Sequence, residues 1–220
     1  MKNQQSERGI LFDFDGVTVR SMEQHFAAWE NAFREKNIVL NPLDFFVLEG
    51  QGVETVARAL GQRYGLNESQ IKEVTRRKIE WYQQHMRIEF YDHFFELLKT
   101  LKSRAIKMGV VTGGMRGRVE KIIADHFKDY FQCLVTVDDV QNGKPHPEPF
   151  LRGAELLNLA AANCIVVENA PLGIESARKA GMTVIAVTTT LGAEYLRQAH
   201  YIVSNFREVE ETILMLIDKN

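Results

Sequence analysis

The strongest constraint on this chain is a rhythm. Short apolar runs, many of them β-branched, stand at residues 9–14 (GILFDF), 106–111 (IKMGVV), 133–138 (CLVTVD), 164–168 (CIVVE), 183–188 (TVIAVT) and 200–203 (HYIV). Between and after the later runs the pattern predicts helices at 92–103, 115–126, 147–158, 171–180 and 206–218. In the last of these, Phe206, Val209, Ile213 and Leu216 fall on one helical face. Alternation of strand and helix predicts an α/β fold, a parallel sheet with helices on both faces.

One interval breaks the rhythm. From 21 to 90 no strong strand signal occurs, while Met22, Phe26, Trp29 and Phe33 repeat at helical spacing. VETVARALGQRYG and ESQIKEVTRRKIEWYQQHM read as further helices. The predicted organisation is a catalytic core of 1–20 and 91–220, interrupted by an all-helical cap domain of 21–90.

Bulk properties then narrow the partners. A net charge of −2 gives no electrostatic footprint for nucleic acid or for an anionic membrane surface. The opening MKNQQSERG is too polar for a secretory signal, and no apolar run approaches the roughly 20 residues of a membrane span. Cys133 and Cys164 lie in apolar stretches and read as reduced buried thiols. The expectation is a cytoplasmic protein, a monomer or weak homodimer, that recognises its partner through a local site.

That site is expected where the strands end. Side chains alternate along a strand, so Asp13 and Asp15 point one way and Phe14 the other, with Gly16 permitting a sharp exit. In an open parallel sheet, ligands bind beyond the carboxyl ends of the strands. Later runs lead to Thr112-Gly113-Gly114, to Lys144, and to Glu168-Asn169. The threonine and glycine amides suit phosphate oxygens at a helix start, and the lysine adds a point charge. A carboxylate approaching a phosphoryl dianion at 4 Å meets about 8 kcal/mol of repulsion at an effective dielectric near 20. A hard divalent cation relieves this, and Asp, Glu, Asn and carbonyl oxygens are its ligands, which favours Mg²⁺. Among the prolines, Pro145, Pro147 and Pro149 in GKPHPEP and Pro171 after Glu168-Asn169 predict rigid loops around these groups.

DFDGV (13–17), VVTGG (110–114), GKPHPEPF (143–150) and VVENAPLGIESARKAG (166–181), in that order, resemble the haloacid dehalogenase-like hydrolase superfamily. The likeness is to its phosphatase and β-phosphoglucomutase-like branch, with a Rossmann-like core and a helical cap. The resemblance implies Asp13 as the nucleophile that forms an aspartyl-phosphate. It implies Asp15 as general acid and then base, its main-chain carbonyl on Mg²⁺. Thr112, Gly113 and Lys144 would hold the phosphoryl group, with Asp13, Asp15, Glu168 and Asn169 as the metal set. A carboxyl that donates a proton at neutral pH needs a raised pKa, expected here from apolar cap residues closing over Asp15. Many relatives carry an acid where Asn169 stands, and Glu49, in the cap segment LEGQG, is the expected helper on the metal or substrate.

His25 and Lys78 match cap residues of sugar-phosphomutase relatives, whereas Val53 stands where those carry an arginine for a second phosphate. The expected activity is therefore a Mg²⁺-dependent phosphohydrolase acting on a small phosphorylated metabolite such as a sugar phosphate. The rivals are a β-phosphoglucomutase-like phosphosugar mutase and an inorganic pyrophosphatase. A phospho-accepting signalling receiver would place its nucleophile on a middle strand of the chain and carry no helical insertion.

Overall fold

A computed structural model describes residues 7–218. Its strands are β1 Gly9–Phe12, β2 Lys107–Val111, β3 Cys133–Val135, β4 Cys164–Glu168, β5 Thr183–Val187 and β6 Tyr201–Val203. They pair in parallel in the order β3-β2-β1-β4-β5-β6. The helices are α1 Met22–Arg34, α2 Pro42–Phe46, α3 Val53–Arg63, α4 Glu68–His85, α5 Phe94–Ser103, α6 Arg116–His126, α7 Glu148–Leu156, α8 Pro171–Lys179 and α9 Phe206–Asp218.

The central strands are apolar throughout because both of their faces are covered. Ile10, Phe12 and Phe14 join Leu97, Val119 and Val209 of α5, α6 and α9 in one layer. Leu11 and Val111 meet Phe150, Ile174 and Ala177 of α7 and α8 in the other. Phe14 thus packs in the layer opposite Leu11, as the alternation requires.

Two strands stop earlier than the apolar runs suggest. β1 ends at Phe12 because the chain turns back on itself: Thr18 and Val19 both donate backbone N–H to the Phe14 carbonyl at 2.9 Å. Gly16 takes the left-handed φ of +87° that this turn needs. β3 ends at Val135 because the Thr136 amide and hydroxyl donate to Asp139 Oδ2 at 2.8 and 2.7 Å, closing a short 3₁₀ turn.

Helices α1 to α4 pack around an apolar cluster of their own, centred on Trp29, Phe33, Leu60 and Val74. Asn67 begins α4 with a reciprocal cap, its side chain accepting from the Gln70 amide at 3.0 Å while Gln70 accepts from the Asn67 amide. Among the described residues no helix is long and apolar enough to cross a membrane. Both cysteines are buried free thiols.

The strand order fixes where a ligand can sit. From β1 the chain moves outward to β2 and β3, then returns to the other side of β1 as β4. The loops after β1 and β4 therefore diverge and leave a crevice between them.

Candidate active site

Asp13, one residue past β1, and Glu168, the last residue of β4, meet in that crevice. The Asp13 amide still bonds the Val167 carbonyl at 3.0 Å, so the sheet ladder fixes its backbone. Lys144 lies between the two acids: its ammonium donates to Asp13 Oδ1 at 2.6 Å, Glu168 Oε1 at 2.7 Å and the Val111 carbonyl at 3.1 Å. Burial pushes the Asp13 carboxyl up to about 7, against the opposing pull of Lys144. Burial disfavours the Lys144 charge too, but Asp13 and Glu168 outweigh it and hold the ammonium protonated above its ordinary range.

Lys144 and Glu168, both expected at the site, contact one another. An ammonium has three N–H groups, and in this conformation all three of Lys144 are engaged, so it positions Asp13. Glu168 likewise has both oxygens occupied, Oε1 by Lys144 and Oε2 by the amides of Asn169 and Ala170 at 2.8 and 2.9 Å. In this conformation it orients the lysine. Gly173 makes that seat possible, since any Cβ there would fall inside the Glu168 carboxylate.

Asp15 sits in a second network. Ser21 Oγ donates to its Oδ1 at 2.6 Å, and the Arg118 guanidinium grips both oxygens, Nη1 to Oδ1 at 2.9 Å and Nη2 to Oδ2. His25 Nε2 lies 3.3 Å from Oδ1, while its Nδ1 faces Lys78 Nζ at 3.0 Å. An ammonium can only donate, so Nδ1 accepts and Nε2 carries the proton toward Asp15. Burial, then the Lys78 charge, lowers the His25 pKa to about 4, and burial lowers Lys78 to about 8. The expectation of a raised Asp15 pKa is corrected here. Burial does press it upward, but Arg118 and His25 prevail and hold the carboxyl well below its ordinary range.

Thr112 and Gly113 line the cavity between Asp13 and the helical insertion. The Gly114 amide donates to Thr112 Oγ1 at 2.9 Å, which leaves that hydroxyl's hydrogen free. The Gly113 amide donates to no protein group among the described residues. Gly113 has a second reason to be glycine: a Cβ there would stand 2.5 Å from the Gly50 carbonyl oxygen, so the loop before α3 rests directly on this turn. The cavity measures about 160 Å³, and its far wall is apolar, built by Met22, Trp29, Phe45, Val56, Ile79 and Met86. Val53 belongs to that wall.

Glu49 reaches across from the insertion and accepts from Asn169 Nδ2 at 2.7 Å, and that amide also donates to Thr190 Oγ1 at 2.9 Å. Two acceptors remain without partners although buried, Glu49 Oε1 and Asn169 Oδ1. Burial, reinforced by Glu168 and Asp13, drives the Glu49 pKa well above its ordinary value. Orphaned hard oxygens beside several acids form a donor set that a divalent cation satisfies. Among the described residues, no three His, Cys, Asp or Glu side chains gather into a complete cage. Such a set suits Mg²⁺, which keeps water and substrate oxygens in its shell.

Arg118, Ser21, Tyr82 and Thr190 escaped the sequence reading. Only Arg118 left a trace, as a basic residue in the first turn of the helix that follows Thr112-Gly113-Gly114. Ser21 and Thr190 are small polar residues in loops, and nothing in their neighbours distinguishes them.

The profile of the haloacid dehalogenase-like hydrolases matches residues 10–187. Hexitol phosphatase A of Escherichia coli is 30% identical over 212 residues, covering 93% of this chain and 94% of that protein. Pyrophosphatase PpaX of Bacillus cereus is 28% identical over 196 residues, covering 85% and 86% respectively. The crystal structure of β-phosphoglucomutase from Clostridium difficile superposes with a TM-score of 0.83, covering 97% of this chain and 98% of that one. At 23% identity that likeness is one of fold.

Proposed function

The chain belongs to the haloacid dehalogenase-like hydrolase family, and from that we propose a Mg²⁺-dependent phosphohydrolase that releases phosphate from a small phosphorylated metabolite. An Asp13 oxygen attacks phosphorus, the bond to the leaving oxygen breaks, and an aspartyl-phosphate forms. Asp15, ionised while Arg118 grips it, must first leave that pair and take up a proton; it then gives this proton to the leaving oxygen and later takes one from the water that attacks phosphorus and displaces Asp13. Thr112 and the Gly113 amide orient the phosphoryl oxygens. Asp13, the Asp15 carbonyl, Glu168 and Asn169, with Glu49 as a further acid, would hold Mg²⁺, which would supply the positive charge that lets one anion approach another. Residues 21–90 act as a cap whose apolar wall covers the substrate's carbon body.

One observation carries this reading. Asp13 projects from the topological switch point of the sheet into a cavity, with its orientation set by a lysine whose three donors are all engaged. A sugar or polyol phosphate suits a cavity with one polar end and one apolar wall. The buried free thiols accord with a cytoplasmic setting.

A second reading has support of its own. Glu49 places a carboxylate beside Asn169, and a further acid on the metal favours a compact, highly charged substrate such as pyrophosphate. The test is a phosphate-release screen over hexitol phosphates, sugar phosphates, nucleotides and pyrophosphate, with and without Mg²⁺. Mg²⁺-dependent release from a polyol or sugar phosphate, lost in Asp13→Asn, is expected. Turnover of pyrophosphate alone establishes the second reading, and no turnover anywhere defeats both.

A further inference from the structure

We propose that Arg118 is a phosphoryl-binding residue, which exchanges its grip on Asp15 for the oxygens of a bound phosphoryl group. The inference rests on the reading of this cavity as a phosphoryl site.

Placement comes first. Arg118 lies in the first turn of α6, directly after the Thr112-Gly113-Gly114 loop, and lines the same cavity as Asp13. A Cβ added to Gly114 would stand 2.8 Å from Arg118 Nη2 and 3.3 Å from Thr112 Oγ1. The guanidinium and the threonine hydroxyl therefore both lie beside Gly114, on the wall of the cavity that Asp13 lines.

Donor accounting comes second. A guanidinium carries five N–H groups. Arg118 uses Nη1 on Asp15 Oδ1 at 2.9 Å and Tyr82 Oη at 3.4 Å, and Nη2 on Asp15 Oδ2. Its Nε–H and second Nη2–H meet no acceptor among the described residues. Lys144, the other cation near Asp13, has every donor engaged. Of these two cations, only Arg118 has donors to offer.

The aromatic surroundings come third. The guanidinium carbon lies 5.5 Å from the centre of the Phe14 ring and 5.8 Å from that of Tyr82. Both rings attract the guanidinium through their faces without fixing the direction of its hydrogen bonds. Asp15 offers it a single negative charge. A phosphoryl dianion offers more charge and three oxygens matched to the planar fork. Binding thus transfers the guanidinium without leaving it buried and uncompensated, and it relieves Asp15 of its strongest partner.

The test is calorimetric titration of inorganic phosphate in Mg²⁺ buffer into wild type, Arg118→Met, Asp15→Asn and the double variant, each checked by thermal melting. Arg118→Met should weaken phosphate binding roughly ten- to hundredfold, in line with one charge-assisted contact, and Arg118→Lys should recover part of it. The loss should be at least as large in the Asp15→Asn background, where phosphate no longer competes with Asp15 for the guanidinium. That background also serves if Arg118→Met alone fails to fold, because no carboxylate is then left unpaired. Unchanged phosphate affinity in Arg118→Met, or a loss that vanishes when Asp15 is also replaced, overturns the proposal: Arg118 would then act only through Asp15. A wild-type chain that binds phosphate through Arg118 yet hydrolyses nothing would defeat the hydrolase reading and leave this one standing.

Discussion

Replacing Lys144 with methionine tests the logic of the site most directly. The lysine side chain is 1% exposed, and the acids it joins, Asp13 and Glu168, are 6% and 0% exposed. Methionine keeps the length and removes the charge, so two carboxylates are left facing each other out of water. Breaking a buried ion pair from one side costs about 3–5 kcal/mol. For a domain of this size about 2–4 °C accompanies each kcal/mol, so the melting temperature should fall by roughly 6–20 °C. The pH dependence gives the mechanism away. Asp13 already sits at about 7, raised by burial, and without Lys144 it loses its main opposing charge and rises further. A carboxyl whose pKa is higher folded than unfolded contributes stability at acid pH and loses it as pH climbs through the folded value. The variant's deficit should therefore be large at pH 8 and smaller at pH 5.5. Thermal melts of both proteins in EDTA at the two pH values measure it. A deficit that grows on acidification, or no deficit at pH 8, would refute the assignment of Lys144 as the charge that holds Asp13 in place.

Three further outcomes are expected. Asp13→Asn should abolish turnover of the best substrate and Asp15→Asn should reduce it by orders of magnitude, read by phosphate release; near-normal rates in either would remove that residue from its role. Glu49→Gln should raise the Mg²⁺ concentration needed for half-maximal activity by about tenfold, because one charged oxygen leaves the donor set, and an unchanged Mg²⁺ titration would exclude Glu49 from it. At limiting Mg²⁺, kcat/KM should fall below about pH 7 as Asp13 takes up its proton, and raising Mg²⁺ should move that limb to lower pH; a limb indifferent to Mg²⁺ would separate the two.

The order of strands and helices was legible because each element carries its own local pattern, and α9 spans 206–218 as its apolar face predicts. Ends were less legible. β1 stops at Phe12 through hydrogen bonds from Thr18 and Val19 to a carbonyl several residues earlier, which no propensity of Asp13 or Phe14 announces. At the site, residue types pointed to the right crevice, and Asp13, Thr112, Lys144, Glu168 and Asn169 do converge there. What residue types could not reveal was pairing. Whether Lys144 faces a substrate or two acids, and whether Asp15 meets apolar cap or an arginine, depends on contacts between residues 24 to 131 positions apart.

The contact of Gly50 with Gly113 has a kinetic consequence. Backbone from the insertion lies on backbone from the sheet, with no side chain between them that could rotate aside. Any cycle in which the insertion lifts off the sheet must break this contact and remake it, like a turnstile that advances once per passenger. Its ceiling on turnover is then set by how fast that seam separates, and solvent viscosity should slow it even when the chemical step is untouched.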